Sequence, residues 1–141
     1  MKNALFVVGR LLFGGFFAFN GIGHFLQTDS LAGYAKMKGV PAPEAAVILT
    51  GVLLLLGGLS ILTGAFPRVG VALIVVFLLP TSFMMHDFWT VADPMQRTAE
   101  MVGFLKNIAL AGAALMFLVI PEPWPASFPW RSGASEPGRK Q

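Results

Sequence analysis

Four apolar blocks, residues 4–25, 45–66, 69–85 and 101–120, decide what this chain can fold into. Each is close to the roughly 20 residues that carry a helix across a hydrocarbon core. In lipid the backbone has to satisfy its own polar groups, so such blocks become helices and not the short alternating strands of an outer-membrane barrel. The second block carries no charge, and four consecutive leucines at 53–56 give it no amphipathic period. The expected fold is an all-α integral membrane protein, an antiparallel bundle of four transmembrane helices. The spans are expected at about 4–26, 44–65, 67–87 and 95–120, forming a domain over 1–120. A proline- and tryptophan-containing tail follows over 121–141, with a disordered end.

Composition agrees. Of 141 residues, 55% are hydrophobic and 12% charged, with a mean hydropathy of +0.71, against about a quarter charged in soluble domains. The length allows one compact unit and excludes a large multidomain enzyme. The net charge of +3 comes from scattered basic residues, with no run that would neutralise nucleic-acid phosphates, so no nucleic-acid partner is expected. With no cysteine, the chain has no disulfide, iron–sulfur cluster, zinc-thiolate site or thiol relay of its own. Any redox chemistry has to use a borrowed cofactor, and no metal site is read.

Punctuation residues set the connections. Gly64 stops one helix and Pro67 opens the next, making blocks two and three an antiparallel hairpin. Asp93, Pro94 and Gln96 read as N-cap, first helical residue and capping-box partner, so the fourth helix starts before its apolar block. Residues 34–43 suit a short interfacial helix ended by Gly39, roofing the outer end of the bundle. The first block is too long, and too interrupted by Arg10, for a cleavable signal peptide. Lys2, Arg68, Arg131, Arg139 and Lys140 share one side with Arg10 nearby, whereas the other side has Lys36, Lys38 and Arg97. The positive-inside rule therefore puts both termini in the cytoplasm. Trp124 and Trp130 read as interface anchors, and Arg10 as snorkelling to headgroups.

Ionisable groups within a bilayer are expensive, so their placement is informative. Asn20 and His24 lie one turn apart at the outer end of the first span, and Ser82, His86 and Asp87 end the third. Glu44, Glu100, Lys106 and Asn107 lie near the outer ends of the second and fourth. All four helices thus bring polar groups to the outer half. Gln96, Glu100, Gly103 and Asn107 form one helical stripe. Lys106, beside it, calls for a carboxylate partner, with Glu100 or Glu44 favoured over Asp87. His24, His86, Lys106 and Glu100 are the candidate catalytic residues. Asn20, Asn107, Trp89 and Glu44 are the candidate ligand-binding residues. The histidines suit hydrogen bonding and proton exchange with a quinone-like ligand; helix capping and headgroup contact is the competing reading. A pair of histidines without further ligands gives a metal or haem little support. Pro80 predicts a kink in the third span, with Thr81 and Ser82 placed to re-satisfy freed backbone groups.

The residues Gly9-Arg10-Leu11-Leu12, Asn20-Gly21-Ile22-Gly23-His24-Phe25, Gly39-Val40-Pro41-Ala42-Pro43, His86-Asp87-Phe88-Trp89 and Phe104-Leu105-Lys106-Asn107, in this order, resemble the DoxX family of small bacterial four-helix membrane proteins, over about Leu5 to Ile120. The resemblance implies a four-helix inner-membrane bundle. Relatives include membrane subunits linked to thiosulfate:quinone oxidation and partners in thiol-oxidant resistance complexes, which implies quinone-linked redox work. The expected function is then a membrane subunit of a quinone-linked oxidoreductase or oxidative-stress redox system, binding a quinone-like small molecule in a polar pocket in the outer half of the bundle; the cofactor is left open, with a quinone as the candidate. Its expected partners are the lipid bilayer and a soluble or membrane redox protein, with a homo-oligomer left open. The competing reading is a non-catalytic membrane anchor or assembly partner. A carrier is disfavoured, because there is no inverted repeat or pair of broken helices.

Overall fold

The computed structural model describes residues 1–128; Trp130, Arg131, Arg139, Lys140 and the disordered end expected after Ser132 lie outside the described residues. Five helices follow one another: α1 (Lys2–Leu26), α2 (Thr28–Met37), α3 (Pro43–Thr63), α4 (Pro67–Met85) and α5 (Pro94–Met116). Single 3-10 turns at Phe88–Thr90 and Phe117–Val119 precede and follow α5. There is no strand among the described residues. α1, α3, α4 and α5 are long and apolar enough to cross a membrane.

The boundaries follow local chemistry. α3, α4 and α5 all carry proline in the first turn, where the missing N–H costs nothing. Gly64 ends α3 with a φ of 70°, a left-handed cap that glycine adopts without a Cβ penalty. Asp93 caps α5, its carboxylate accepting from the Gln96 amide at 2.8 Å. α4 continues unbroken through Pro80, and Ser82 Oγ donates to the Leu78 carbonyl at 2.7 Å. The roofing helix exists but starts earlier than the sequence suggested: α2 begins at Thr28, directly after α1.

α1 packs on α3, α3 on α4 and α4 on α5, while α2 lies against α3. The α1–α3 seam is close, since a Cβ on Gly21 would lie 2.6 Å from the Leu55 amide nitrogen and one on Gly14 2.8 Å from that of Leu62. Phe17, Leu54, Ile61, Val71, Ile74 and Leu78 fill the middle. Leu5, Leu12, Phe19, Val76 and Leu105 lie exposed on the outside, the side of a membrane helix that lipid covers.

The two ends of the bundle differ. At one end, residues 121–128 fold back as a strap. Trp124, expected at the interface, is instead only 3% exposed, its ring 5.3 Å from Phe6 and 5.4 Å from Phe117. The large ring buries more apolar area inside the bundle than a headgroup layer would cover. Arg10 does not snorkel either. It is 2% exposed, and its guanidinium donates to the carbonyls of Pro125 and Ala126 at 3.0 Å each. Only its Nε lacks a partner among the described residues. The strap is fastened again by Phe128 N–H to the Thr63 carbonyl at 2.8 Å and by Arg68 to Glu122 at 3.1 Å. The other end carries α2 as a roof.

Candidate functional site

At the strap end Phe6 and Phe13 of α1 pack on Phe117, which opens the 3-10 turn after α5. Towards the roof α1 and α5 face each other across a cleft of about 140 Å³. α1 supplies Phe16, Asn20 and His24 to its wall, α4 supplies Thr81 and Phe77, and α5 supplies Lys106 and Asn107; His86 enters from the end of α4. No carboxylate lines it. The volume resembles the roughly 150 Å³ cavity that holds a benzene ring, and is well below that of a pocket for a whole drug-sized ligand.

Each histidine is seated by its neighbours. His24 Nδ1 lies 3.0 Å from Thr50 Oγ1 and 3.2 Å from the Val47 carbonyl, and the Thr50 hydroxyl donates in turn to the Ala46 carbonyl at 2.8 Å. His24 rests on Gly51, where a Cβ would come within 2.9 Å of its own Cβ. His86 Nδ1 lies 2.8 Å from Glu100 Oε2, and its ring lies on Gly103, where a Cβ would meet Nδ1 at 2.6 Å. In both rings Nδ1 is engaged by the scaffold, and Nε2 makes no hydrogen bond among the described residues. Asn107 is 7% exposed, lines the cleft and has no side-chain hydrogen bond among the described residues. Its amide atoms are open to the cleft, since Arg10 Nε is the one fully buried side-chain polar atom without a partner among the described residues.

Behind His86 lies a polar network that ties the roof to the bundle. Tyr34 Oη donates to Glu100 Oε1 at 2.9 Å. Lys38 Nζ lies 2.5 Å from Asp87 Oδ1 and 3.4 Å from Glu100 Oε1, and Thr90 Oγ1 donates to Asp87 Oδ2 at 2.8 Å. Burial works against the Lys38 ammonium, but the hydrogen bond to Asp87 and the neighbouring negative groups hold its pKa above the usual lysine range. Burial pushes the Tyr34 hydroxyl up as well, reinforced by the Glu100 carboxylate.

The structure thus brings His24, His86, Lys106, Asn20 and Asn107 into one cleft, with Glu100 directly behind His86. Asn20 also spends its Nδ2 on the Phe16 carbonyl at 2.7 Å. Glu44 is exposed at the start of α3, and Trp89 is half-exposed on Phe83, Phe88 and Phe104; neither lines the cleft. The expected pairing of Lys106 with Glu100 or Glu44 is corrected. Lys106 makes no ion pair among the described residues, and Lys38 takes both Glu100 and Asp87. The stripe on α5 holds for Glu100, Gly103 and Asn107, which are buried, but Gln96 is exposed. Sequence reading missed Tyr34, Lys38 and Thr50 as parts of the site. Tyr34 and Lys38 stand one turn apart on a helix, a signal that only a known roof position makes legible.

Four apolar helices of this length, with polar groups gathered inside one half, define a multi-pass membrane protein. Residues 5–87 match the family model of DoxX, and the chain belongs to that family. The match reaches from α1 to the end of α4 and stops short of α5. No curated protein and no solved structure matches the chain.

Proposed function

We propose that the protein is the membrane subunit of a quinone-linked redox system in a bacterial inner membrane, with residues 1–120 as its working domain and both termini in the cytoplasm. The observation that carries this reading is the cleft. Two histidines with their Nδ1 atoms engaged, an Asn107 amide open to the cleft and a Lys106 with no ion pair among the described residues converge on a space the size of one ring.

A quinone head group presents carbonyl oxygens to such donors, and the isoprenoid tail stays in lipid. His24 and His86 hydrogen-bond those oxygens and exchange protons with them. Asn20, Asn107 and Lys106 orient the head, and Glu100 acts through His86. Electrons come from a partner protein, since the chain has no thiol of its own. A second reading, a non-catalytic anchor for other proteins, is favoured by the use of Glu100 and Asp87 in tying down the roof.

The test is extraction. The protein is purified in mild detergent, extracted with organic solvent, and its small molecules identified by mass spectrometry. A stoichiometric quinone that disappears in His24→Ala and His86→Ala, with both variants still inserted and folded, is the expected result. A folded wild-type protein without quinone, and unable to take one up, sinks the reading in favour of the anchor.

A further inference from the structure

The network behind His86 is more than a tie. The strap shows what a purely structural tie looks like here: Arg10 is held by backbone carbonyls, which carry no exchangeable proton. At the roof, by contrast, every link is a group that can gain or lose a proton. His86 Nδ1 meets Glu100 at 2.8 Å; Glu100 meets Tyr34 at 2.9 Å and Lys38 at 3.4 Å; Lys38 meets Asp87 at 2.5 Å, which ends at the exposed Thr90. Hydrogen bonds and one ion pair at 3.4 Å therefore join a ring in the cleft wall to the groups at the roof.

Charge points the same way. Lys38 offsets one of the two carboxylates, so one proton shared between His86 and Glu100 brings the group to neutrality in a medium that penalises net charge. His24 has no such connection, being held by a backbone carbonyl and a threonine. The two histidines are thus unequal: one has a carboxylate behind it and the other does not.

We propose that His86 and Glu100 form the path by which protons pass between the cleft and the roof-end surface, with Tyr34 and the Lys38–Asp87 pair as positioning groups that fix the Glu100 carboxylate. This rests on the quinone reading of the cleft. Reduction of a quinone to a quinol takes a pair of electrons from the partner protein and a pair of protons. For each proton, the His86 Nε2–H bond breaks as a head-group O–H bond forms, and the Glu100 O–H bond breaks as Nδ1–H forms. Glu100 is refilled from water at the roof, where Lys38 stays an ammonium throughout, and the ring regains Nε2–H by tautomer exchange. Quinol oxidation runs the same steps outward, with the electron pair leaving to the partner.

The experiment loads the full chain in detergent with decylubiquinone, reduces it at an electrode and records the infrared difference spectrum. In wild type, reduction is expected to give a carboxyl signal that shifts with ¹³C-glutamate labelling. In Glu100→Gln that signal is lost, and proton-coupled reduction slows about tenfold or more, with its pH dependence flattened. Tyr34→Phe is expected to keep the signal at a shifted frequency. A labelled wild type that binds and reduces decylubiquinone with no glutamate signal overturns the path and leaves the quinone reading standing. So does Glu100→Gln at the wild-type rate. Failure of wild type to take up decylubiquinone removes both. If Glu100→Gln does not fold, the labelled wild type alone decides.

Discussion

His24 and His86 owe their positions to two glycines that carry no chemistry. A methyl group on Gly103 would collide with His86 Nδ1, and one on Gly51 with the Cβ of His24. Gly103→Ala is therefore expected to push His86 off Glu100 and weaken quinone binding about tenfold or more, with a stability loss of about 1–3 kcal/mol from overpacking. Binding titration against thermal unfolding in detergent checks this, and unchanged affinity would show that the ring does not need its seat. Lys106 gives the opposite prediction. Having no ion partner among the described residues, it can be changed to leucine without leaving a buried carboxylate alone, so Lys106→Leu should keep the wild-type unfolding temperature. A clear drop would mean a partner exists. The α5 stripe was legible because helical period alone puts Glu100, Gly103 and Asn107 on one face. The Lys106 pairing was misread because the cation that reaches Glu100 arrives from α2, far away in sequence.

At the scale of elements, the roof and the strap are the parts that sequence left weakest. α2 is fastened to α4 and α5 through Lys38 and Tyr34. Lys38→Met leaves two carboxylates without their cation and is expected to cost about 2 kcal/mol, below the figure for fully buried pairs because this one is partly solvated. Since the folded-state pKa of Lys38 lies above its usual value, the contribution is complete below the usual lysine range and is lost as pH rises through the raised value. The raised Tyr34 hydroxyl acts in the same direction. The part of the unfolding temperature that Lys38 and Tyr34 supply should therefore fall only in strong alkali, and Lys38→Met should lose most of that alkaline fall; an alkaline fall as steep in Lys38→Met as in wild type would assign it to other groups. The strap was read as a tail because prolines and an isolated tryptophan have no period to interpret. Trp124→Ala is expected to destabilise the protein by about 3–5 kcal/mol, an effect that an interfacial anchor would not produce.

For the whole molecule, four crossings put Lys2 and the strap at one end and α2 with the start of α5 at the other. The chain contains no cysteine, so single introduced cysteines report topology directly. On intact cells a membrane-impermeant maleimide is expected to label Lys36→Cys and Arg97→Cys but not Arg68→Cys; the reverse pattern would invert the proposed orientation. Sequence alone determined the membrane class, the number of spans, the hairpin at Gly64 and the start of α5. Each of these follows from local chemistry: the length of an apolar run, a left-handed cap, a proline at a helix start. It also indicated which half of the bundle is polar, because helix direction alternates and depth along a helix is simple counting. Only the tertiary structure decided that a cleft lies between α1 and α5, that Lys38 and not Lys106 neutralises Glu100, and that Arg10 holds a strap in which Trp124 is buried. Those outcomes depend on the rotation of each helix about its axis and on which distant segment fills a gap, and both are set by packing between parts of the chain that no local pattern connects.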